Sequence, residues 1–348
     1  MPETLIALGS NLGDRRRALD RAVARLGELP DTRMVARSRL YETAPVGGPP
    51  GQGLFLNGAV LLDTSLAPAA LLDQLGRIER ELGRQPAERW APRPIDLDLL
   101  LYGGLVLETA ELVLPHPRMA WRRFVLEPAA EIAPQMVHPT IGWSTKRLLQ
   151  NLNTTPAYVA LTGPFGAGKT ALAQQLVERT GADLIAGAVS PPLLEGFYAN
   201  PAGMAWDLEL QFVDERTRLL AADLRQWSNQ GGLWISDFWF DQSLAYGRVW
   251  LPDERTEQLR QTWQSARNRV VSPRLIVLVD PPIDRLLAQV RQHGRPGEDR
   301  LDSEVFERMR HEIRAEATSP GRGPVLRLAD AGCEPSLAEV LAAIQAMK

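Results

Sequence analysis

Two aspartates spaced two residues apart, Asp96 and Asp98 in Ile95-Asp96-Leu97-Asp98-Leu99, are the first residues with the types and spacing for chemistry. Side chains alternate between the faces of a strand, so both carboxylates share one face and the leucines take the other. Neighbouring acids repel. A divalent cation between them lets both stay ionised, and hard oxygen donors with room left for phosphate suit Mg²⁺. A solvated edge-strand face would show the same spacing. Around the pair stand Arg84, Arg89, Arg93, His116, Arg122 and Arg123. Guanidiniums beside a metal face suit a polyphosphate, because the metal and the planar forks take different oxygens. Surface salt bridging accounts for any one of these arginines alone.

A second constellation is Gly163-Pro164-Phe165-Gly166-Ala167-Gly168-Lys169-Thr170, directly after the apolar run Tyr158 to Leu161 and ahead of a predicted helix over 169–179. This is the context a GxxxxGK[ST] phosphate loop requires. Gly163, Gly166 and Gly168 let backbone N–H groups converge on phosphate, and the helix N-terminus adds favourable dipole charge. Lys169 would reach the β and γ phosphates of ATP and Thr170 would ligate Mg²⁺. Of 39 basic residues only Lys146, Lys169 and Lys348 are lysine, so position 169 breaks a strong preference for arginine. A compact ammonium fits where a planar fork cannot. Asp237 and Asp280 follow predicted strands at 233–236 and 274–279, at the carboxyl edge where nucleotides bind, and either could be a second metal ligand. Arg291, Arg295, Glu298 and Arg300 lie in a Gly/Pro-broken segment between predicted helices, which reads as an arginine-bearing lid or an ordinary charged loop.

The elements that must position these residues fall into two halves. In the first, a strand at Leu5 to Leu8 turns through Gly9, Ser10, Asn11 and Gly13 into a helix that Asp14 can cap. Strands are predicted over Met34 to Thr43, Leu54 to Leu62 and Ile95 to Tyr102, and a helix on the stripe Leu71, Leu72, Leu75, Ile78 and Leu82. The order is βαββαβ, an α+β ferredoxin-like layout. The second half alternates strands (158–162, 183–186, 233–236, 274–279, 325–328) with helices, which implies an α/β fold with a parallel sheet covered on both faces. The polar stretch Asn151 to Thr155, closed by Pro156, marks the boundary, giving domains 1–152 and 157–348.

Composition agrees with two ordinary globular domains: 348 residues, 45% apolar and 23% charged. Net charge is −3, split as +1 and −4 between the halves, which argues against nucleic acid and anionic membranes as partners. No run approaches the about 18 apolar residues of a membrane helix, and the N-terminus lacks a signal-peptide profile, so a cytoplasmic protein is expected. The single cysteine, Cys333, excludes an internal disulfide and a cysteine-cluster metal site.

Residues 1–152 closely resemble the 6-hydroxymethyl-7,8-dihydropterin pyrophosphokinases of folate biosynthesis. The resemblance rests on Ala7-Leu8-Gly9-Ser10-Asn11-Leu12-Gly13, Tyr41-Glu42-Thr43, Leu56-Asn57-Gly58-Ala59-Val60, Arg89-Trp90, Pro92-Arg93-Pro94-Ile95-Asp96-Leu97-Asp98 and Pro115-His116. It implies transfer of pyrophosphate from ATP to the pterin hydroxymethyl, with release of AMP, and Asp96 and Asp98 as ligands of two Mg²⁺ ions. By the family pattern Asn57 hydrogen-bonds the pterin, Thr43 lines its slot, Phe55 and Phe124 sandwich its ring, and Trp90 helps close over it. Phe55 stands where a tyrosine is frequent, a change that keeps the ring face. Arg84, Arg93, His116 and Arg122 would contact the ATP phosphates, and the loops at 45–53 and 84–94 are the natural lids.

Residues 157–348 look like the deoxynucleoside kinases, through the phosphate loop, Leu194-Glu195-Gly196-Phe197-Tyr198-Ala199-Asn200-Pro201, Ile235-Ser236-Asp237-Phe238 and Arg295-Pro296-Gly297-Glu298-Asp299. That resemblance implies an ATP site with one Mg²⁺ and a deoxynucleoside as acceptor, and a homodimer through this domain is compatible with it. The acidic residue that family kinases carry after the second strand is missing: Ile185 to Ser190 contains no carboxylate. The place of the base-reading glutamine falls to Glu209, or to Gln211 with a two-residue slip. A lost general base costs rate rather than ATP binding. A weak kinase and a non-catalytic ATP-binding or dimerising module therefore both stand as readings of this half.

Overall fold

The computed structural model describes residues 1–49, 51–85, 91–154, 156–187, 191–228, 232–295 and 297–348. They form two compact units. Met1–Asn153 with Ala342–Lys348 make one, and Thr154–Leu341 make the other. The last seven residues thus group with the first unit rather than with the 157–348 segment, since Gln345 exchanges hydrogen bonds with Pro45 O (3.1 Å) and Gly47 N (3.3 Å). No described helix is long and apolar enough to cross a membrane.

In chain order the first unit runs β1 (Glu3–Ser10), α1 (Arg15–Gly27), β2 (Thr32–Arg37), β3 (Tyr41–Thr43), β4 (Phe55–Thr64), α2 (Pro68–Glu81), β5 (Asp96–Tyr102), β6 (Leu107–Glu108), β7 (Val113–Leu114), α3 (Arg123–Ile132) and α4 (Thr145–Leu152). The expected strand over 34–43 is two strands with a break at 38–40, because Ser38 turns aside to serve Ala59 N through its hydroxyl (2.9 Å). Asp14 caps α1 as predicted, its carboxylate accepting from Arg17 N at 3.0 Å. Helices α3 and α4 were not legible from periodicity. Pro128 lies inside α3 and Pro134 follows it, and such prolines read as breakers.

The sheet order is β2-β4-β1-β5, with β3 also on β4, and all pairings are antiparallel. Alternation divides its residues between two apolar cores. Ile6, Leu8, Val60, Leu62, Leu97 and Leu99 pack with Leu19, Val23, Leu26, Leu71, Leu75 and Ile78 of α1 and α2. Leu5, Ala7, Ala59, Leu61 and Leu101 pack with Val125 and Ala129 of α3. Asn57, Gly9, Asp96 and Asp98 continue this second face.

The second unit contains β8 (Ala157–Thr162), α5 (Lys169–Thr180), β9 (Asp183–Ile185), α6 (Pro191–Ala199), α7 (Pro201–Leu219), β10 (Leu233–Ser236), α8 (Gln242–Trp250), α9 (Asp253–Arg267), β11 (Leu275–Val279), α10 (Ile283–His293), α11 (Ser303–Ala317), β12 (Val325–Leu328) and α12 (Glu334–Ala346), the end of which groups with the first unit. Its strands pair in parallel in the order β12-β11-β8-β10-β9. The central strands are buried apolar runs, as a sheet covered on both faces requires.

Candidate functional site

In the first unit the register brings distant residues into one row. Gly9 of β1 pairs with Asn57 on β4 and with Asp96 on β5, and Ala7 pairs with Ala59 and Asp98. Residues directly opposite share a face, so Asn57, Asp96 and Asp98 project from the same side of the sheet. Asn57 donates to Thr43 Oγ1 at 2.8 Å, and Thr43 itself pairs with Phe55. Phe124, in the first turn of α3, packs against the apolar cluster on this face, and the Arg122 guanidinium lies 5.5 Å from its ring centroid. Trp90 lies outside the described residues.

The arginines converge on one carboxylate oxygen. Asp96 Oδ1 accepts from Arg84 Nη1 (2.7 Å) and Arg93 Nη1 (2.9 Å). At Asp98, burial first, and then the charge of Asp96, push the carboxyl up to about 6, against the pull of Arg122. This like-charge strain is what a divalent cation relieves. The donor set therefore fits Mg²⁺, and because no cluster of three His, Cys, Asp or Glu exists among the described residues, phosphate oxygens and water would complete the coordination. His116 is the opposite case. Burial, reinforced by Arg122 and Arg118, holds it down to about 3, so its ring is neutral at physiological pH. Its Nδ1 accepts from Arg118 N at 3.2 Å, which puts the proton on Nε2 as a donor.

The positioning roles of three residues were not legible in the sequence. Glu79 accepts Leu97 N–H (2.8 Å) and an ion pair from Arg84, so it aims that guanidinium at Asp96. Burial raises its carboxyl above the usual range. The available signal was an acid at the helical position one turn after Leu75, on the stripe that faces the core. Ser10 Oγ donates to Pro94 O (2.7 Å), and Asn11 Oδ1 accepts Arg93 N–H (2.8 Å) while its Nδ2 reaches Gln52 Oε1 (3.1 Å). The Gly-Ser-Asn turn thus ties down residues of both loops, 45–53 and 84–94, a pairing that no local pattern encodes.

In the second unit the loop after β8 has left-handed Gly166 (φ 69°) and Gly168 (φ 80°). Gly163 (φ 150°) tolerates no side chain, because a Cβ there would lie 2.3 Å from Val279 O. Lys169 Nζ donates to Gly163 O (2.9 Å) and Pro164 O (2.7 Å), and burial lowers it to about 8. Thr170 Oγ1 donates to Asp237 Oδ2 at 2.8 Å, so hydroxyl and carboxylate form a pair suited to Mg²⁺. A cavity of about 640 Å³ opens here, lined by Lys169, Thr170, Glu195, Arg216, Asp237 and Arg295 among others.

Two of the residues singled out in this unit stand apart from that cavity. Arg291 does not line the cavity, whereas Gln289 and His293 do; two residues of offset put Arg291 on another side of α10. Asp280 is no metal ligand in waiting. It is buried, and Arg310 (3.1 Å), Arg314 (3.2 Å) and Arg327 (2.7 Å) hold it in ion pairs.

Comparison with known proteins matches the first unit's sequence to a family. The family model described as 7,8-dihydro-6-hydroxymethylpterin-pyrophosphokinase matches residues 5–134. The 2-amino-4-hydroxy-6-hydroxymethyldihydropteridine pyrophosphokinase of Pseudomonas aeruginosa is 47% identical over 134 residues, 38% of this chain and 82% of that protein. The Bacillus subtilis protein of the same name is 50% identical over 131 residues, covering 38% and 78%. Among solved structures, deoxyadenosine kinase from M. mycoides with bound dATP aligns at 13% identity and a TM-score of 0.45, covering 53% of this chain and 96% of that one. With 82% of the first relative's length matched at 47% identity, the chain belongs to the 7,8-dihydro-6-hydroxymethylpterin-pyrophosphokinase family.

Proposed function

We propose that the first unit transfers pyrophosphate from ATP to the hydroxymethyl group of 6-hydroxymethyl-7,8-dihydropterin, a step of folate biosynthesis, and that it needs Mg²⁺ to do so. The observation that carries this reading is the row Asn57, Gly9 and Asp96, which sets a ring-reading amide beside a metal-suited carboxylate pair and its guanidiniums. The pterin hydroxyl oxygen attacks the β phosphorus, the bond from that phosphorus to the oxygen shared with the α phosphorus breaks, and AMP leaves with the electron pair. The hydroxyl proton passes to water. Asp96 and Asp98 would hold Mg²⁺, two ions by the family resemblance, which neutralises charge on the phosphate oxygens when bound. Arg84, Arg93 and Arg122 would hold further oxygens, and His116 would donate from Nε2 without adding charge. Little covalent work falls to the protein, so its contribution is positioning, charge stabilisation and exclusion of water. Phe55 and Phe124 would stack the ring, Thr43 would steady Asn57, and Trp90 would close over it.

The second unit is read as a nucleotide site, with ATP phosphates on Gly163, Gly166, Gly168 and Lys169, one Mg²⁺ at Thr170 and Asp237, and Arg295 over them. Phosphoryl transfer to a deoxynucleoside is its first reading. A non-catalytic ATP-binding or dimerising module is the second, favoured by the lack of any carboxylate from Ile185 to Ser190. Product analysis separates these. With ATP and Mg²⁺, the pterin should yield AMP in the wild type and Lys169→Ala but not in Asp98→Asn; no pterin-dependent AMP in the wild type would defeat the main reading. ADP formed only with a deoxynucleoside, and lost in Lys169→Ala, marks a live kinase. Its absence with every deoxynucleoside leaves the module.

A further inference from the structure

We infer that Gly9 is the specificity-determining residue of the first site: the space left by its missing side chain is the passage for the pterin's 6-hydroxymethyl arm. The inference rests on the pyrophosphokinase reading. Asn57 and Asp96 flank Gly9 from the two neighbouring strands, in register and on one face. Strands lie about 4.8 Å apart, so the backbones that carry the ring-reading amide and the metal-suited carboxylate are about 10 Å apart with Gly9 midway. An arm that joins a ring held at Asn57 to an oxygen held at Asp96 must cross this residue.

A Cβ at Gly9 would stand 3.4 Å from Asn57 Oδ1, 3.7 Å from Asp96 Cβ and 4.0 Å from Phe55 Cδ1. These are ordinary contact distances, so alanine fits the empty protein. Nor does the backbone demand glycine, since Gly9 is not among the residues with positive φ. What the methyl removes is room for anything above it, because carbon atoms approach no closer than about 3.5–4 Å. The position is therefore neutral for folding and closed to a substrate methylene once substituted. In the adjacent row Ala7 stands between Ala59 and Asp98, so a methyl is accepted under the carboxylate that the arm does not cross.

The test compares Gly9→Ala with wild type in equilibrium binding of two ligands, 6-hydroxymethyl-7,8-dihydropterin and the unsubstituted 7,8-dihydropterin, with Mg²⁺ and α,β-methylene ATP present. Affinity for the hydroxymethyl ligand should fall by about tenfold or more, with less than about twofold change for the unsubstituted ring, for the ATP analogue and in the thermal midpoint. A structural role would weaken both pterins alike. Equal losses for both, or none, overturn the inference. Should the variant not fold, the wild type answers alone: 6-(1-hydroxyethyl)-7,8-dihydropterin, with a methyl on the same carbon, should bind about tenfold more weakly than the parent, and equal affinity overturns the passage. The pyrophosphokinase reading fails separately, through absence of pterin-dependent AMP in the wild type.

Discussion

Glu209 offers a quantitative test of the balance between burial and charge pairing in the second unit. Its side chain is 1% exposed on α7, one carboxylate oxygen (Oε2) has no hydrogen-bond partner, and burial pushes the carboxyl up to about 7 against the attraction of Arg216. Arg216 donates to Ser243 Oγ (2.7 Å), and its guanidinium lies 4.3 Å from the Phe212 ring centroid, so it has partners of its own. A folded-state value above the ordinary 4.5 means that the ionised form costs stability. That cost is fully present above pH 7 and is relieved as pH falls from 7 to 4.5. At about 1.4 kcal/mol per pH unit, the rise from 4.5 to about 7 is worth about 3 kcal/mol. Glu209→Gln mimics the protonated state. The variant should exceed wild type by about 3 kcal/mol at pH 7.5 and match it near pH 4, below the unfolded-state value. Urea unfolding followed by tryptophan fluorescence reports mainly on this unit, since six of the nine tryptophans, Trp206, Trp227, Trp234, Trp239, Trp250 and Trp263, belong to it. Taking variant minus wild type cancels the titration of distant groups. A variant less stable than wild type at pH 7.5 would refute the reasoning, because it would show that losing the partner of a buried guanidinium outweighs desolvation.

Other perturbations address the anchors. Glu79→Gln keeps an acceptor for Leu97 N–H but gives up the charge that aims Arg84; losing a charge-assisted bond of about 1.5–3 kcal/mol should lower kcat/KM for ATP by roughly tenfold to a hundredfold, and an unchanged value would show that Arg84 needs no such support. Asn11→Ala removes the bonds to Arg93 N and Gln52; amide exchange should quicken at 51–53 and 91–94 while β4 is unaffected, and unaltered exchange in those loops would contradict the anchoring role. Gly163→Ala drives a Cβ into Val279 O; ATP binding by the second unit should be lost with pterin-dependent AMP formation retained, so persistent binding there would argue against the loop geometry.

Local pattern determined a good deal of this protein. Period-2 spacing placed Asp96 and Asp98 on one face of β5, the glycine spacing before Lys169 announced the phosphate loop, and a helical stripe marked α2. Each is a relation among residues within about a dozen positions, set by backbone geometry before any tertiary contact forms. Tertiary structure decided the rest. Asn57 meets Asp96 across Gly9 only because β1 pairs with strands far along the chain on either side, and a slip of one residue would turn all three away. Asp280 looked like a ligand at a strand end until α11 and β12 brought three guanidiniums onto it, and Arg291 fell outside the cavity because helix phase, not loop sequence, governs where it sits. Glu79 and Asn11 acquired their roles from partners 5 to 82 residues away. A side chain's own type supplies its chemistry, but which groups meet it depends on register and packing among distant segments, and those follow from burying both faces of the sheet at once.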